Sequence, residues 1–282
     1  MATPSLLTLA LTDVTTPILK DHLLAALSSP PFLHVPGTFN TRDLGLLPTA
    51  TGRPAAIRPG FVFRSGGFPG GAFPDGGDGI RALGVKRIFD LRSVQEHAQQ
   101  PDPEVDGVDL VWLASGEKEA VVGVGDFVEG EGEKGYVVMY LDVLKVYREH
   151  ITRVLEHVRD RPGEGFLFHC TAGRDRTGVV AGLLLALAGA DRDTIVLDFL
   201  LSRIGTEPAR EHLLAFALKG SGAESVDTPG FYNLCQLRES CWDAFVRAVQ
   251  RDYGGWDSYV TGTLGFSDED LATIKRNLVA KD

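Results

Sequence analysis

Apolar and polar positions along this chain follow two periods, and these sort it into short strands and longer helices. Gly60 to Ser65, Arg87 to Leu91, Val108 to Leu113 and the run from Phe166 to Cys170 are short and apolar, so each is expected to be a strand. A helical period governs Tyr136 to Val158, Thr194 to Arg203, Pro208 to Leu218, Gln236 to Tyr253 and Asp268 to Val279, with a shorter helix around Ile80 to Leu83. Ser267, with Asp270 three residues on and Leu271 next, resembles a capping box with Asp in the Glu position. Near the start, Leu19, Leu23, Ala26 and Leu27 form the stripe of an amphipathic helix that Pro30-Pro31 ends. The longest apolar run, Val179 to Ala190, has 12 residues and belongs to a helix expected to start near Arg176.

Strands alternating with helices imply an α/β fold: a central, mostly parallel sheet covered by helices on both faces, with a helical C-terminal third. No composition break asks for two domains, so residues 35–282 are expected to form one domain and residues 1–34 a helical arm. That arm either packs over the core or offers a helix to a partner. In parallel sheets ligands sit beyond the carboxyl ends of the strands. Arg64, Asp90 to Arg92 and Cys170 all fall there, and are expected to share one mouth. Gly66 to Gly79, rich in Gly and Pro, reads as a turn-filled loop. Residues 115–135 place Glu117, Glu119, Asp126, Glu129, Glu131 and Glu133 among glycines, and fit either a solvated loop or a lid over substrate.

Charge narrows the function. A formal net charge of −10 opposes nonspecific attachment to nucleic acid or anionic membranes, so an anionic substrate must be attracted locally. Three cysteines, none in a metal-binding spacing, argue against a disulfide framework and a zinc site, and no other cofactor is implied. The run of 12 apolar residues is short of the roughly 18 that a membrane span needs. With no basic N-terminal region ahead of an apolar segment, a cytoplasmic protein is expected. No pattern sets an oligomeric state.

The chemistry concentrates between Cys170 and Arg176. Five residues bend the backbone into a ring, and Gly173, with Ala172 beside it, relieves the bend by tolerating positive φ. The N–H groups of Thr171, Ala172, Gly173 and Arg174 can then converge on one centre as an anion nest, reinforced by the following helix dipole. Arg176 supplies a planar fork that matches two phosphate oxygens. A thiol in that field is pushed toward thiolate, which makes Cys170 the candidate nucleophile. Spacing alone does not decide this. Cys241 and Arg247 repeat the interval, but in a helical pattern without glycine that points them to different sides, so Cys241 reads as structural.

The stretch His169-Cys170-Thr171-Ala172-Gly173-Arg174-Asp175-Arg176-Thr177-Gly178 resembles the signature loop of the cysteine-dependent tyrosine phosphatases. It is most similar to the atypical branch of bacteria and fungi described as dual or triple specificity. Phe39 to Gly45, Phe63 to Gly66, Asp90 to Ser93 with Glu96, and Tyr253 to Leu271 match in family order, so the likeness covers about residues 35 to 280. The branch usually carries Lys where this chain has Arg174.

The resemblance implies a tyrosine-phosphatase-like domain that hydrolyses phosphate monoesters through a phosphocysteine. Substrates would be a phosphorylated protein, an inositide or a small molecule. Arg174 beside Arg176 would favour multiply phosphorylated headgroups. The Trp-Pro-Asp tripeptide that supplies the acid in related enzymes is missing. The family gives Asp175 that role; a partner for a neighbouring arginine is the other reading. Asp90 is the rival acid, or an ion-pair partner of Arg92 or Arg64. Thr177 would hydrogen-bond the thiolate or simply begin a helix, and His169 would orient the loop. Asn40, Arg42 and Asp43 read by themselves as a solvated loop, and by resemblance as a segment near the active-site rim. Two competing functions stay open: a phosphate-binding module with weak turnover, and a sulfur transferase.

Overall fold

The computed structural model describes residues 4–49, 56–70, 73–115 and 122–279. Strands β1 (Arg42–Asp43), β2 (Val62–Ser65), β3 (Val85–Asp90), β4 (Asp109–Trp112) and β5 (Gly165–His169) form a sheet in the order β1-β2-β5-β3-β4. Every pairing is parallel except that of β1 with β2. β5 is central, and Phe166, Leu167 and Phe168 are fully buried. Alternation along this strand sends Phe166 and Phe168 to one face and Leu167 to the other.

The helices are α1 (Leu6–Ala10), α2 (Lys20–Leu27), α3 (Asp78–Ala82), α4 (Val94–Gln99), α5 (Glu133–Val146), α6 (Arg148–Asp160) and α7 (Asp175–Leu187). They continue with α8 (Arg192–Gly205), α9 (Arg210–Gly220), α10 (Phe231–Cys235), α11 (Glu239–Tyr253), α12 (Trp256–Ser258) and α13 (Asp268–Leu278). The face carrying Phe166 and Phe168 is buried with apolar residues of α5 to α8, α11 and α13. On the other face, Leu167 and Ile88 lie under Ile80 of α3 and under Phe68, Phe73 and Val105 from irregular segments. Helices therefore cover one face fully and the other only in part. Within the Gly/Pro-rich stretch before α3, Phe68 and Phe73 do the work of a helix.

Two expected helices differ in form. Tyr136 to Val158 is divided into α5 and α6 at Tyr147, whose φ of −99° and ψ of 17° leave the α region. Among its described residues the N-terminal arm holds two short helices instead of one. Between them Arg203 donates to the carbonyls of Thr12, Asp13 and Thr16, and Arg210 to those of Val14 and Thr15. Backbone carbonyls claimed by side chains in this way are not free to build a helix. Leu19 precedes α2 and is exposed, so it is not part of the buried stripe. Of the acidic segment 115–135, Glu117 and Glu119 lie outside the described residues. Its second half is anchored by Phe127, fully buried in a 3-10 turn (Val124–Phe127) against Tyr136, and α5 begins at Glu133. The Ser267 and Asp270 capping box is present at the start of α13.

Candidate active site

The segment from Cys170 to Arg174 joins the central strand β5 to α7. Its carbonyls are drawn outward by groups behind it. The Gly67 amide donates to the Thr171 carbonyl at 3.1 Å. Asn40 Nδ2 donates to the carbonyls of Ala172 at 3.2 Å and Gly173 at 2.9 Å, and Arg64 adds a charged hydrogen bond to Gly173 at 2.7 Å. Because each peptide is planar and trans, an outward carbonyl turns the next N–H inward, here those of Ala172, Gly173 and Arg174. The loop and its inward amides thus rest on a built scaffold. Gly173 is required twice over: its φ is +63°, and a Cβ there would lie 2.2 Å from the Ser65 carbonyl oxygen.

Behind the loop, Asp198 of α8 receives both Arg42 and Arg64, all three buried, and Arg42 also holds the Asn40 side-chain oxygen. Burial pushes the Asp198 carboxyl up, but the two arginines outweigh it and hold it below its ordinary range. Arg64 consequently sits beneath the loop and not in the mouth. Asp43 reaches neither: its carboxylate accepts from the amides of Gly45 at 2.8 Å and Gly60 at 2.6 Å.

Arg176 forms a fork with Glu96, at 2.6 and 2.7 Å, and also donates to the Leu91 carbonyl and the Tyr147 hydroxyl at 3.2 Å each. Glu96 caps α4 through Ser93 and accepts from the Thr171 hydroxyl. Burial would raise the Glu96 carboxyl, but Arg176, Thr171 and the Ser93 amide reverse this and hold it well below the usual carboxylate range. This clamp fixes the guanidinium at the edge of the loop. Tyr147, at the break between α5 and α6, completes it.

Asp175 accepts from the Tyr140 hydroxyl at 2.9 Å and from Arg174 at 3.0 Å. Burial, reinforced by Asp175, keeps the Tyr140 phenol far above its ordinary pKa, so it stays a donor. The Arg174 guanidinium continues to the carbonyls of Leu234 and Cys235 at the end of α10, at 3.0 Å each. Its charge is committed to three acceptors, which removes the argument for multiply phosphorylated substrates. Thr177 has a buried hydroxyl without a partner among the described residues. Cys170, Asp175 and Arg176 line one cavity of about 650 Å³.

Asp90 is not in that cavity lining. It is buried, and Arg92 forks onto it at 2.8 Å through two nitrogens while His97 meets its second oxygen at 2.8 Å. Arg92 also reaches Asp102, whose other oxygen lies 2.8 Å from Nε2 of the fully buried His169. Asp90, Asp102 and His169 approach closely enough to ligate a metal. Arg92, however, bridges both carboxylates and supplies the positive charge that a cation would bring.

Sequence reasoning brought out Cys170, Asp175 and Arg176, which the fold brings to one cavity. It did not assign Tyr140, Tyr147 or Asp102, nor a role to Glu96. Ser93 with Glu96 carries a capping-box spacing, and Pro101-Asp102-Pro103 marks a stiff, polar turn; the tyrosines offer no signal beyond a helical period. Among proteins of similar sequence, one from Cupriavidus necator, named provisionally as a tyrosine-protein phosphatase, is 31% identical over 86% of both chains. A tyrosine-protein phosphatase of Nostoc commune is 30% identical over 71% of this chain and 68% of its own. The triple specificity protein phosphatase PtpB of Mycobacterium tuberculosis is 32% identical over 60% of this chain and 68% of its own. The tyrosine phosphatase family matches residues 33–280, nearly the whole length over which the loop, its scaffold and the helices behind it are built, and the chain belongs to that family.

Proposed function

We propose that the protein hydrolyses phosphate monoesters through a phosphocysteine. Cys170 Sγ attacks phosphorus opposite the ester oxygen, the P–O bond breaks, and Asp175 gives its proton to the departing alkoxide. Water then attacks phosphorus and passes a proton to Asp175, and the S–P bond breaks to return the thiolate and release phosphate. The inward amides and Arg176 hold the three equatorial oxygens throughout. The buried hydroxyl of Thr177, one residue past Arg176, has no partner among the described residues, and in this reading it turns to the sulfur during the reaction.

The observation that carries this reading is the shared cavity: Cys170, Asp175 and Arg176 line it and Asp90 does not. Met139, Tyr147, Leu213 and Leu234 give the same cavity apolar walls, which suits a phosphorylated aromatic alcohol such as phosphotyrosine. The relative named for triple specificity supports extending the reading beyond a single class of phosphate ester. Residues 35–282 act as the catalytic unit in this reading, with 1–34 as an arm over it. No described helix is long and apolar enough to cross a membrane. The requirement for a reduced Cys170 favours the cytoplasm.

Replacing Cys170 by Ser tests the mechanism. Turnover of an aryl phosphate should vanish while vanadate still binds, because an alkoxide does not form near neutral pH. Substantial residual hydrolysis by the Ser variant would sink the assignment.

A further inference from the structure

The cluster behind the loop is unbalanced in charge unless His169, or His97 at its more exposed edge, is protonated. Asp90 and Asp102 are two carboxylates whose side chains are 2% and 4% exposed, against one arginine, Arg92. The surplus negative charge has no solvent to screen it. His169 is the group placed to cancel it. Its Nε2 is 2.8 Å from Asp102 and 3.9 Å from Asp90, and its Nδ1 is 3.4 Å from the Cys170 carbonyl, an acceptor. Both ring nitrogens therefore face oxygens that accept and cannot donate.

We infer that Asp102 is a positioning residue of this site: its carboxylate holds His169 as a doubly protonated ring, positive end toward Cys170. The inference rests on the reading of Cys170 as nucleophile. A ring held in this way has Nδ1 on the Cys170 carbonyl and Asp102 at the opposite nitrogen, Nε2, so the cation lies on the Cys170 side of its carboxylate. Asp102 reaches the reaction only through His169. Pro101 and Pro103 on either side stiffen the chain that presents it, and Arg92 ties the turn down by donating to the Gln100 carbonyl at 2.8 Å.

The other groups around the ring agree. Phe68 packs on it with centroids 4.6 Å apart and brings no charge. Asp90, the register partner of His169 on β3, gives both its oxygens to Arg92 and one also to His97, which stacks on Trp112 at 4.1 Å. With Asp102 neutralised, the remaining carboxylate, Asp90, lies 3.9 Å from the ring and is shared with Arg92, so the hold on the second proton of His169 would weaken. Burial by itself pulls the imidazole down, yet Asp102 and Asp90 outweigh it and raise it above its ordinary value.

Nitrogen-15 NMR of histidine-labelled protein, with His169 assigned through His169→Asn, reads the ring directly. In the wild type both nitrogens should carry protons at pH 7.5; in Asp102→Asn only one should, and Asp102→Glu should restore the second. In parallel, iodoacetamide should alkylate Cys170 about ten-fold more slowly in Asp102→Asn at pH 6.5, and Asp102→Asn should add nothing to His169→Asn. A merely structural Asp102 would lower the melting temperature without moving either signal. A neutral His169 in the wild type, a doubly protonated ring in Asp102→Asn, or unchanged alkylation overturns the inference. Should Asp102→Asn not fold, the wild-type ring decides by itself: loss of the second proton near pH 6.5 overturns the inference, and retention beyond pH 7.5 upholds it. None of these readouts needs turnover, so a protein inactive on every phosphate ester would refute the proposed function and leave this inference standing.

Discussion

Asp175 and Asp90 are carboxylates near the carboxyl end of the same sheet, and their surroundings send them to different tasks. Asp175 faces the cavity with Cys170, oriented by Tyr140, whereas Asp90 is enclosed by Arg92 and His97. Asp175→Asn should lower kcat by about 10² to 10⁴ for alkyl phosphates, and far less for an aryl phosphate whose leaving group needs no proton. Asp90→Asn should instead destabilise the fold by about 3 to 5 kcal/mol, since it strips a buried arginine of its main partner, and slow both substrate types by a similar factor. Kinetics of the two variants on the two substrates, with thermal melts, distinguish the roles. A leaving-group-dependent loss at Asp90 with a uniform one at Asp175 would reverse the assignment.

At the scale of elements, the loop works because the segment leading into β1, strand β2 and helix α8 supply Asn40, Arg64 and Asp198 behind it. Gly173→Ala should break that fit. The new Cβ meets the Ser65 backbone at 2.2 Å, which moves the loop by more than a side-chain adjustment can absorb. Vanadate affinity and kcat/KM should both fall, the latter by about 100-fold or more, while a melting temperature and vanadate affinity equal to wild type would show that the backbone yields. The loop itself was legible because its chemistry is local in sequence. Strands β2 to β5 were legible because short apolar runs bounded by turns have few other uses. What escaped has physical reasons. α4 buries none of its residues, so it leaves no hydrophobic period, and only its Ser93 and Glu96 box announces it. The break at Tyr147 involves neither Pro nor Gly; it serves a contact with Arg176, which is 29 positions away. The N-terminal arm loses its single helix to Arg203 and Arg210, cations that lie almost 200 positions downstream. Partners of that separation are invisible to a reading based on period.

For the whole molecule, buried histidines make stability depend on pH in both directions. Burial pushes His150 and His157 below their ordinary value. The unfolded chain then binds more protons, so the stability they contribute is complete above about pH 6.5 and is lost as pH falls. His169 behaves oppositely. Its folded value is raised, so its contribution is complete below about pH 6.5 and is lost as pH rises through that value. Asp198, held low, acts only below about pH 4, Asp43, raised by burial, acts in the acid range just above it, and the buried thiols Cys235 and Cys241, pushed up by burial, act only above about pH 8.5. The range between belongs to the histidines, and the melting temperature should peak near pH 6.5. His157→Phe keeps an aromatic ring between Phe89 and Phe166, and should reduce the slope of the acid limb by about half, since one of two titrating groups is gone. Asp102→Asn should flatten the alkaline limb and spare the acid one. A melting temperature that climbs steadily from pH 5 to 8.5 would mean that His169 holds no extra proton in the folded protein, because among the described buried groups only the Asp43 carboxyl shares its sign, and that effect begins near pH 4.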